Sequence, residues 1–333
     1  MRRRNVIFGL LALGTIRSAV AQQSAKVHRI AVVHPSHPAA SLTEKSFSPG
    51  IRAIFNEFRL LGYIEGKNLL VERYSGEGRA THYPDLARDV VASNPNLIIA
   101  VGNNLVLDLK AATTTIPIVG VFADPVGTGI VPSLARPGGN ITGMAPSVGL
   151  PEEWDKRVQL LLRVVPQLSR LGVLRTTNVT YRQEVEEQEA ARRIGVTAVS
   201  GRLNYPVDET EYRRVFAALV KDQADAIIVS EDLENLTNRK LIADLADKNR
   251  LPAIYALKVF VEAGGLMSYG SDQSEHGRLI ADIADKIMKG SKPSEIPIMQ
   301  PTKFELAINL KTAKTLGLTV PPELLATADE VIE

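Results

Sequence analysis

The fold is decided by residues 96–119, NLIIAVGNNLVLDLKAATTTIPIV. An entirely apolar run, Leu97–Val101, is followed by a segment with helical spacing over about Leu105–Thr113 and by a second apolar run, Ile118–Phe122. Strands that are apolar at every position are typical of a parallel sheet with helices on both faces. The stretch therefore predicts one strand–helix–strand unit of an α/β fold.

The same plan returns at residues 225–254, DAIIVSEDLENLTNRKLIADLADKNRLPAI. Apolar strands and amphipathic helices alternate along the chain, from Arg29–Val33 to Phe304–Asn309. The two halves are therefore interpreted as duplicates of one α/β unit. We predict two Rossmann-like lobes with parallel sheets, with lobe I over 27–142 plus about 257–295 and lobe II over 143–256 plus about 296–333.

Glycine-rich stretches mark where the chain is expected to pass between the lobes. One is RPGGNITG at 136–143, and another is AGG at 263–265. We predict hinge residues at Thr142, Gly143 and Ala256. Ligands of open α/β sheets bind beyond the carboxyl ends of the strands, so the loops that follow the strands are expected to line an inter-lobe cleft.

Composition limits the function classes. The chain has 333 residues, 5% of them aromatic, and it contains no cysteine, which excludes a disulfide framework and a thiol nucleophile. It carries 39 Lys and Arg against 37 Asp and Glu. Four of the basic residues and none of the acidic ones precede residue 22, so the remainder has a net charge of −2. A nearly neutral chain with few aromatic residues argues against nucleic-acid binding.

The first 21 residues have the pattern of a signal peptide. Three arginines at 2–4 precede an apolar run of 11 residues, Val6–Ile16, and Ala19-Val-Ala21 matches the small-x-small cleavage pattern. The apolar run is shorter than the roughly 20 residues that span a bilayer. We predict cleavage after Ala21 and a periplasmic location, with an uncleaved anchor helix as the alternative.

Motifs for catalysis and metal binding are incomplete. The segment GYIEGKN at 62–68 lacks the spacing and the Ser or Thr of a P-loop, and APSVG at 145–149 lacks the first glycine of a nucleophile elbow. His34 and His37 are close in sequence, but no acidic ligand stands nearby. We therefore expect no catalytic residues, no metal and no cofactor, and we do not predict an enzyme.

Several longer motifs carry a family resemblance. They are LGYIEGKNL at 61–69, TIPIV at 115–119, DPVGTGIVPSLARPGGNITG at 124–143, AGGLMSYG at 263–270 and PTKFELAINLKTAK at 301–314. Together they resemble the ABC-transporter substrate-binding family that includes tryptophan/tyrosine-type uptake proteins of bacteria. The resemblance implies a type I periplasmic-binding fold with hinge crossings, closure of two lobes around a small molecule, and delivery to an ABC permease in the inner membrane.

Family likeness also favours an amino acid or a related compound as ligand, aromatic or branched ones included, and we expect a monomer. The residues leave two alternatives open. One is a ligand-sensing module for a membrane receptor, and the other is an exported α/β enzyme that uses the same cleft.

Candidate ligand-binding residues follow the predicted strands. In lobe I, Ser36, Asn103 and Asn104 stand at strand–helix junctions, where free N–H groups favour a ligand carboxylate. Helix capping is the alternative role for the two asparagines. Asp124 is assigned either to a ligand ammonium group or to the turn before Pro125.

Lobe II is expected to close over the other side of the ligand. Its candidate residues are Thr176, Thr177, Asn178, Glu231 and Tyr255. Glu231 suits an ammonium group, with a helix N-cap role as the alternative. Tyr255 and Tyr269 are assigned either to stacking on an aromatic ligand or to the core.

Overall fold

A computed structural model of the chain describes residues 27–146, 151–176 and 188–333. The predicted signal peptide at 1–21 therefore lies outside the described residues. Within these ranges, no helix combines the length and the apolar character that crossing a membrane requires.

The first sheet is built from the N-terminal half of the chain. Its strands are β1 His28–His34, β2 Leu69–Ser75, β3 Leu97–Val101, β4 Ile118–Val121 and β5 Ile141–Met144. They form a five-stranded sheet in the order β2-β1-β3-β4-β5, and the four strand pairs are parallel. The connecting helices are α1 Pro49–Leu60, α2 Tyr83–Ala92 and α3 Asn103–Ala112.

The second sheet has the strands β6 Arg170–Thr176, β7 Thr197–Leu203, β8 Ala226–Val229, β9 Ala253–Tyr255, β10 Met267–Ser271, β11 Phe304–Asn309 and β12 Glu330–Ile332. Their order is β12-β11-β10-β9-β8-β6-β7. Among the described strands of this sheet, β10 and β11 pair antiparallel and the other pairs are parallel. The prediction of two α/β units with parallel-dominated sheets is confirmed.

The helices that accompany the second sheet in sequence are α4 Pro151–Val164, α5 Glu209–Lys221, α6 Leu233–Thr237, α7 Arg239–Lys248, α8 Lys258–Glu262, α9 Gln273–Met288, α10 Leu310–Thr315 and α11 Pro322–Leu325. Residues 188–193 are also helical. One of these helices, α9, packs on α1 of the first unit. A Cβ on Gly277 would lie 2.2 Å from the Gly50 carbonyl oxygen, so glycine is required at this close approach of the two helices.

Each strand of the first sheet alternates between two apolar layers. In β1, Ile30 and Val32 belong to the layer that contains α1 and α9, whereas Ala31 and Val33 belong to the layer that contains α2 and α3. Fully burying an Ile or Val side chain stabilises a fold by roughly 1.5–3 kcal/mol. This two-sided burial is why the buried stretches of these strands are apolar at nearly every position, whereas the edge strand β2 carries Glu72 and Arg73.

The described chain passes between the two sheets at three places. β5 of the first sheet is followed by α4, which packs on β9 and β10. β10 is followed by α9, and the chain returns through Met299 to β11. The crossing segments are tied together in pairs, because Ala145 N–H donates to the Met299 carbonyl at 2.9 Å and Asp272 N–H donates to the Lys303 carbonyl at 3.2 Å.

The predicted lobe boundary near residue 257 is wrong. Strand β10 pairs with β9 and β11, so residues 257–271 lie with the second sheet and the chain leaves it only after Ser271. Ala256 consequently lies inside the second unit and not at a crossing. The glycines that suggested a crossing form the turn between α8 and β10, where Gly264 has φ +109° and Gly265 packs against the Tyr255 ring.

The stretch predicted as a turn and hinge at 136–143 ends in strand β5. Thr142 and Gly143 pair with Val119 and Gly120 of β4. A Cβ on Gly143 would lie 2.0 Å from the Gly120 carbonyl oxygen, so glycine serves the close approach of two strands here. The predicted hinge residues Thr142 and Gly143 therefore lie within the first sheet, just before the first crossing.

Candidate functional site

The loop after β1 places two stacked histidines at the carboxyl end of the first sheet. The His34 and His37 rings lie 3.7 Å apart with an interplanar angle of 14°. His34 Nδ1 accepts hydrogen bonds from the main-chain N–H groups of Ser36 at 3.2 Å and His37 at 2.9 Å, so this nitrogen carries no proton. His37 is 3% exposed, and among the described residues its two ring nitrogens and the Ser36 hydroxyl have no hydrogen-bond partner.

Burial keeps both of these histidines neutral. It holds the pKa of His34 well below its usual range, with a smaller contribution from His37. Burial, together with the Arg239 guanidinium, lowers the pKa of His37 to about 4. The loop therefore presents uncharged hydrogen-bonding groups near neutral pH.

The other predicted residues of the first unit are held by their own loops. The Asn103 side chain donates to the Ala123 carbonyl at 2.8 Å and accepts from the Ala123 N–H at 2.9 Å, which ties the loops after β3 and β4 together. Asp124, at φ +37°, accepts from the Gly127 N–H at 2.9 Å, as its predicted turn role requires. Asn104 is exposed in the first turn of α3.

In the second unit, Thr176 ends β6 next to an acidic loop. Its main-chain N–H donates to Asp232 Oδ2 at 2.7 Å, and the Ser230 hydroxyl donates to the same oxygen at 2.7 Å. Thr176 is 1% exposed, and its hydroxyl has no partner within the described ranges. The predicted neighbours Thr177 and Asn178 lie outside the described residues.

Arg157, on α4, holds Glu231 and two other groups of the second unit together. Its Nη2 donates to Glu231 Oε1 at 3.0 Å and to Glu153 Oε2 at 3.2 Å, and its Nε donates to the Tyr269 carbonyl at 2.7 Å. Arg157 and Glu153 are buried, whereas the Glu231 side chain stays 36% exposed. The sequence analysis missed Arg157, because α4 itself was not predicted and its partner Glu231 lies 74 residues further along the chain.

The first turn of α9 adds two further polar groups. Asp272 caps the helix by accepting from the Ser274 N–H at 2.7 Å. Gln273 Oε1 and His276 Nε2 are buried atoms that have no partner in the described part of the chain. Burial lowers the pKa of His276, although the Glu231, Glu275 and Asp272 carboxylates oppose this shift. The sequence analysis singled out neither residue, although the two lie three apart on one helix.

The two tyrosines lie in different surroundings and do not form a pair that stacks on a ligand. Tyr255 is 0% exposed and stacks on Phe260 with ring centroids 4.7 Å apart, so its assignment to the ligand is corrected to the core. The half-buried Tyr269 ring stacks on Phe304 at 5.9 Å. Gly265 and Phe260 surround Tyr255 because α8 folds back over β9.

The carboxyl ends of the two sheets face each other. We call His34–His37 and the first turn of α9 the first rim, and Thr176, residues 230–232 and Arg157 the second rim. The Arg239 guanidinium of α7 lies 5.2 Å from the centroid of the Phe47 ring, which itself contacts His37 at 4.7 Å. Glu231 of the second rim acts electrostatically on His276 of the first. The space between the rims is the candidate binding cleft.

Five residues on these rims share one property. Each has at least one buried side-chain polar atom that lacks a hydrogen-bond partner among the described residues, and we call them the cleft polar set: Ser36, His37, Thr176, Gln273 and His276. The described ranges contain no cluster of three or more His, Cys, Asp or Glu side chains that would hold a metal ion.

Comparison with known proteins agrees with this architecture. The sequence profile of the ABC transporter substrate binding protein family matches residues 29–332. A tyrosine-binding protein of Clostridioides difficile (strain R20291) is 24% identical over 285 residues, which cover 85% of this chain and 78% of the relative.

Two solved structures show the same fold. The ABC domain in complex with L-Trp from Streptococcus pneumonia superposes with a TM-score of 0.79 at 23% identity, over 92% of this chain and 100% of that one. A conserved domain protein from Vibrio cholerae gives a TM-score of 0.80 at 24% identity with the same coverage. The predicted type I periplasmic-binding fold is confirmed, and the chain belongs to the ABC transporter substrate binding protein family.

Proposed function

We propose that this chain is the solute-binding component of an ABC importer. It works as a monomer in the periplasm after loss of residues 1–21, binds an amino acid between its two lobes, and delivers it to a permease in the inner membrane. The ligand is released chemically unchanged, so the protein is not an enzyme. Of the described residues, lobe I comprises 27–145 and 273–298, and lobe II comprises 151–176, 188–271 and 304–333.

The cleft polar set is the observation that carries this proposal. A buried polar group without a partner costs roughly 1–3 kcal/mol, and such groups are rare in native proteins. Such atoms also occur at Arg29, Tyr255 and Ser268, and they occur on both rims, with His37 on one side and Thr176 on the other. A polar solute between the rims would supply the hydrogen bonds that the protein itself leaves unmade.

The contacts between the rims support a closure mechanism. A solute that touches both rims binds the closed arrangement more tightly than the open one, and it shifts the population by that difference. Arg239 over Phe47 joins α7 of the second unit to the segment before α1 of the first, so separation of the rims would break this contact. The paired crossing segments are the places where small backbone changes would let the lobes move.

The relatives guide the choice of ligand. One is named a tyrosine-binding protein, and another was solved with L-Trp. We therefore propose an aromatic amino acid as the ligand of this chain. Ser36, Thr176 and Glu231 are the proposed contacts from the described residues, with Asn104 and Tyr269 at the edge of the site and Thr177 and Asn178 beyond Thr176.

The test is a ligand screen on the protein from residue 22 onward. Amino acids, aromatic acids, purines and sugars are compared by thermal shift, and hits are measured by calorimetry and recovered for mass spectrometry. A ligand at about 100 times its Kd adds roughly 2.7 kcal/mol of stability. We expect aromatic amino acids to bind and to be recovered intact. Binding confined to sugars or purines would overturn the ligand class, and a chemically altered ligand would show that the chain is an exported enzyme.

A further inference from the structure

One segment of the second unit lies against the first unit at two places. It comprises α6 and the start of α7, and we call residues 233–239 the α6–α7 segment. The guanidinium carbon of Arg239 lies 5.2 Å from the centroid of the Phe47 ring. Burial, together with the Glu234 carboxylate, raises the pKa of Tyr83, so this carboxylate faces the Tyr83 hydroxyl. The first unit therefore meets the α6–α7 segment both before α1 and at the start of α2.

The side chains on both sides of this contact are held in place by their own units. Arg239 Nη1 donates to the Leu236 carbonyl at 3.1 Å, which fixes the direction of the guanidinium. On the first unit, the Phe47 ring lies 4.7 Å from the ring of the buried His37. The two sides therefore need little reordering when the units meet, and the entropic cost of forming the contact is small.

The contact differs from the cleft polar set in what it leaves for a ligand to do. Each residue of that set has a buried polar atom without a partner among the described residues, which a ligand can supply. Within the same ranges, neither Arg239 nor Glu234 leaves such an atom. The Phe47 ring has no polar atom, and it stays 38% exposed while Arg239 lies over it. The protein alone therefore completes the interactions between the α6–α7 segment and the first unit.

We infer that the α6–α7 segment is a ligand-independent latch, which holds part of the ligand-free protein in the closed arrangement through Arg239 and Phe47. The apparent Kd of a ligand equals its intrinsic Kd divided by the fraction of protein in the binding-competent state. The latch therefore scales the affinity for every ligand by one factor, whereas the cleft sets the selectivity. A cation–π contact at a partly exposed site changes an equilibrium about 2- to 5-fold. This inference rests on the proposed function, because it concerns the regulation of the same cleft.

Distances in the ligand-free protein test the latch directly. The chain has no cysteine, so spin labels at Asn56→Cys on α1 and Lys248→Cys on α7, both exposed positions, report the separation of the units by pulsed electron paramagnetic resonance. We expect a short-distance population without ligand, and its ratio to the long-distance population should fall about 2- to 5-fold in Arg239→Met. Lys240→Met, the exposed neighbour on α7, is the matched control and should leave the ratio unchanged. Identical distance distributions in all three proteins would overturn the latch.

Variants at Phe47 separate the latch from a folding defect. Tryptophan binds a cation more strongly than phenylalanine does, and the exposed part of the Phe47 ring leaves room for the larger side chain. We expect Phe47→Trp to raise the short-distance population about 2-fold, a gain that a misfolded protein would not show. Phe47→Leu should lower it, and adding Arg239→Met should lower it no further, because both substitutions remove the same contact. Additive losses in the double variant would overturn the pairing of these two residues.

Calorimetry with L-tryptophan and L-tyrosine tests the independence from the ligand. We expect Arg239→Met to weaken the binding of both amino acids by the same factor, about 2- to 5-fold. A loss confined to one of them would show that Arg239 contacts the ligand, and it would overturn the latch. If the parent chain binds neither amino acid, the proposed ligand class fails, whereas the distances in the ligand-free protein still decide whether the latch exists.

Discussion

The loop after β1 on the first rim presents neutral histidines to the cleft, whereas Arg157 and Glu231 on the second rim are charged. On the first rim, His34 and His37 are stacked, and burial keeps them uncharged. On the second rim, the buried guanidinium of Arg157 joins two carboxylates and a main-chain carbonyl. The charge states of the two rims therefore have different physical causes. Desolvation sets the state of the first rim, and one ion-pair network sets that of the second.

The largest expected effect comes from breaking the charged rim. Arg157→Met leaves Glu153, which is 8% exposed, and its neighbour Glu231 without their shared cation. Removing one partner of a buried ion pair typically costs about 3–5 kcal/mol, and the partial exposure of Glu231 favours the lower end, about 3 kcal/mol. Denaturant unfolding measures this loss. Arg163→Met, an exposed position on the same helix, is the control and should change stability by less than about 0.5 kcal/mol. A loss below about 1 kcal/mol in Arg157→Met would show that solvent already stabilises the carboxylates.

A smaller effect is expected from the pH response of the neutral rim. The pKa of His37 is about 4 in the folded protein and about 6.5 when the chain is unfolded, so the unfolded state binds more protons between these values. The stabilising contribution of neutral His37 is therefore complete above pH 6.5 and is lost as the pH falls toward 4, by at most roughly 3 kcal/mol. The free energy of unfolding, measured across this range, should fall less steeply in His37→Phe than in the parent chain.

The exposed His82 provides the control for this pH response. His82→Phe should keep the pH dependence of the parent chain, because this residue is not buried against the first rim. An unchanged slope in His37→Phe would show that desolvation of His37 does not set the acid response, and the contrast between the rims would lose its basis.

The smallest effect is expected where the two rims touch. Arg239→Met removes the guanidinium from the Phe47 ring, a cation–π contact worth roughly 0.5–1 kcal/mol at such a site. We expect ligand affinity to fall about 2- to 5-fold, because this contact belongs to the closed arrangement. The pKa of His37 should rise as the neighbouring cation is lost, which NMR titration would detect. Lys240→Met, next to it on α7, should do neither, and unchanged affinity in Arg239→Met would mean that closure does not depend on this contact.

The regular elements follow closely from the sequence wherever the strands are buried on both sides. The predicted bounds of Leu97–Val101 agree with the observed strand, because an all-apolar run leaves little choice of state, and those of Phe304–Asn309 agree as well. Strand β5 was not predicted, because its four residues include Thr142 and Gly143 and follow a Pro-Gly-Gly-Asn turn. α4 was not predicted, although Trp154, Val158 and Leu161 have helical spacing.

The candidate site was predicted less completely. Ser36, Thr176 and Glu231 lie at or just after the ends of parallel strands, and their contact with a ligand stays a prediction. Tyr255 lies in the core, and Asn103 and Asp124 hold loops together. These outcomes depend on the direction in which each side chain points. That direction is set by neighbours such as Phe260 and Ala123, and the sequence does not show that they are in contact.

The sequence by itself determined the alternation of strands and helices, the duplication of the α/β unit and the family, because periodicity and long motifs are local properties of the chain. Only the tertiary structure decided that β10 belongs to the second sheet and that Arg157 meets Glu231, 74 residues further along. The same holds for His276, whose buried nitrogen depends on α9 crossing back to pack on α1. Burial and electrostatics are set by distances in space, so the chemistry of the cleft appears only when the two sheets are brought face to face.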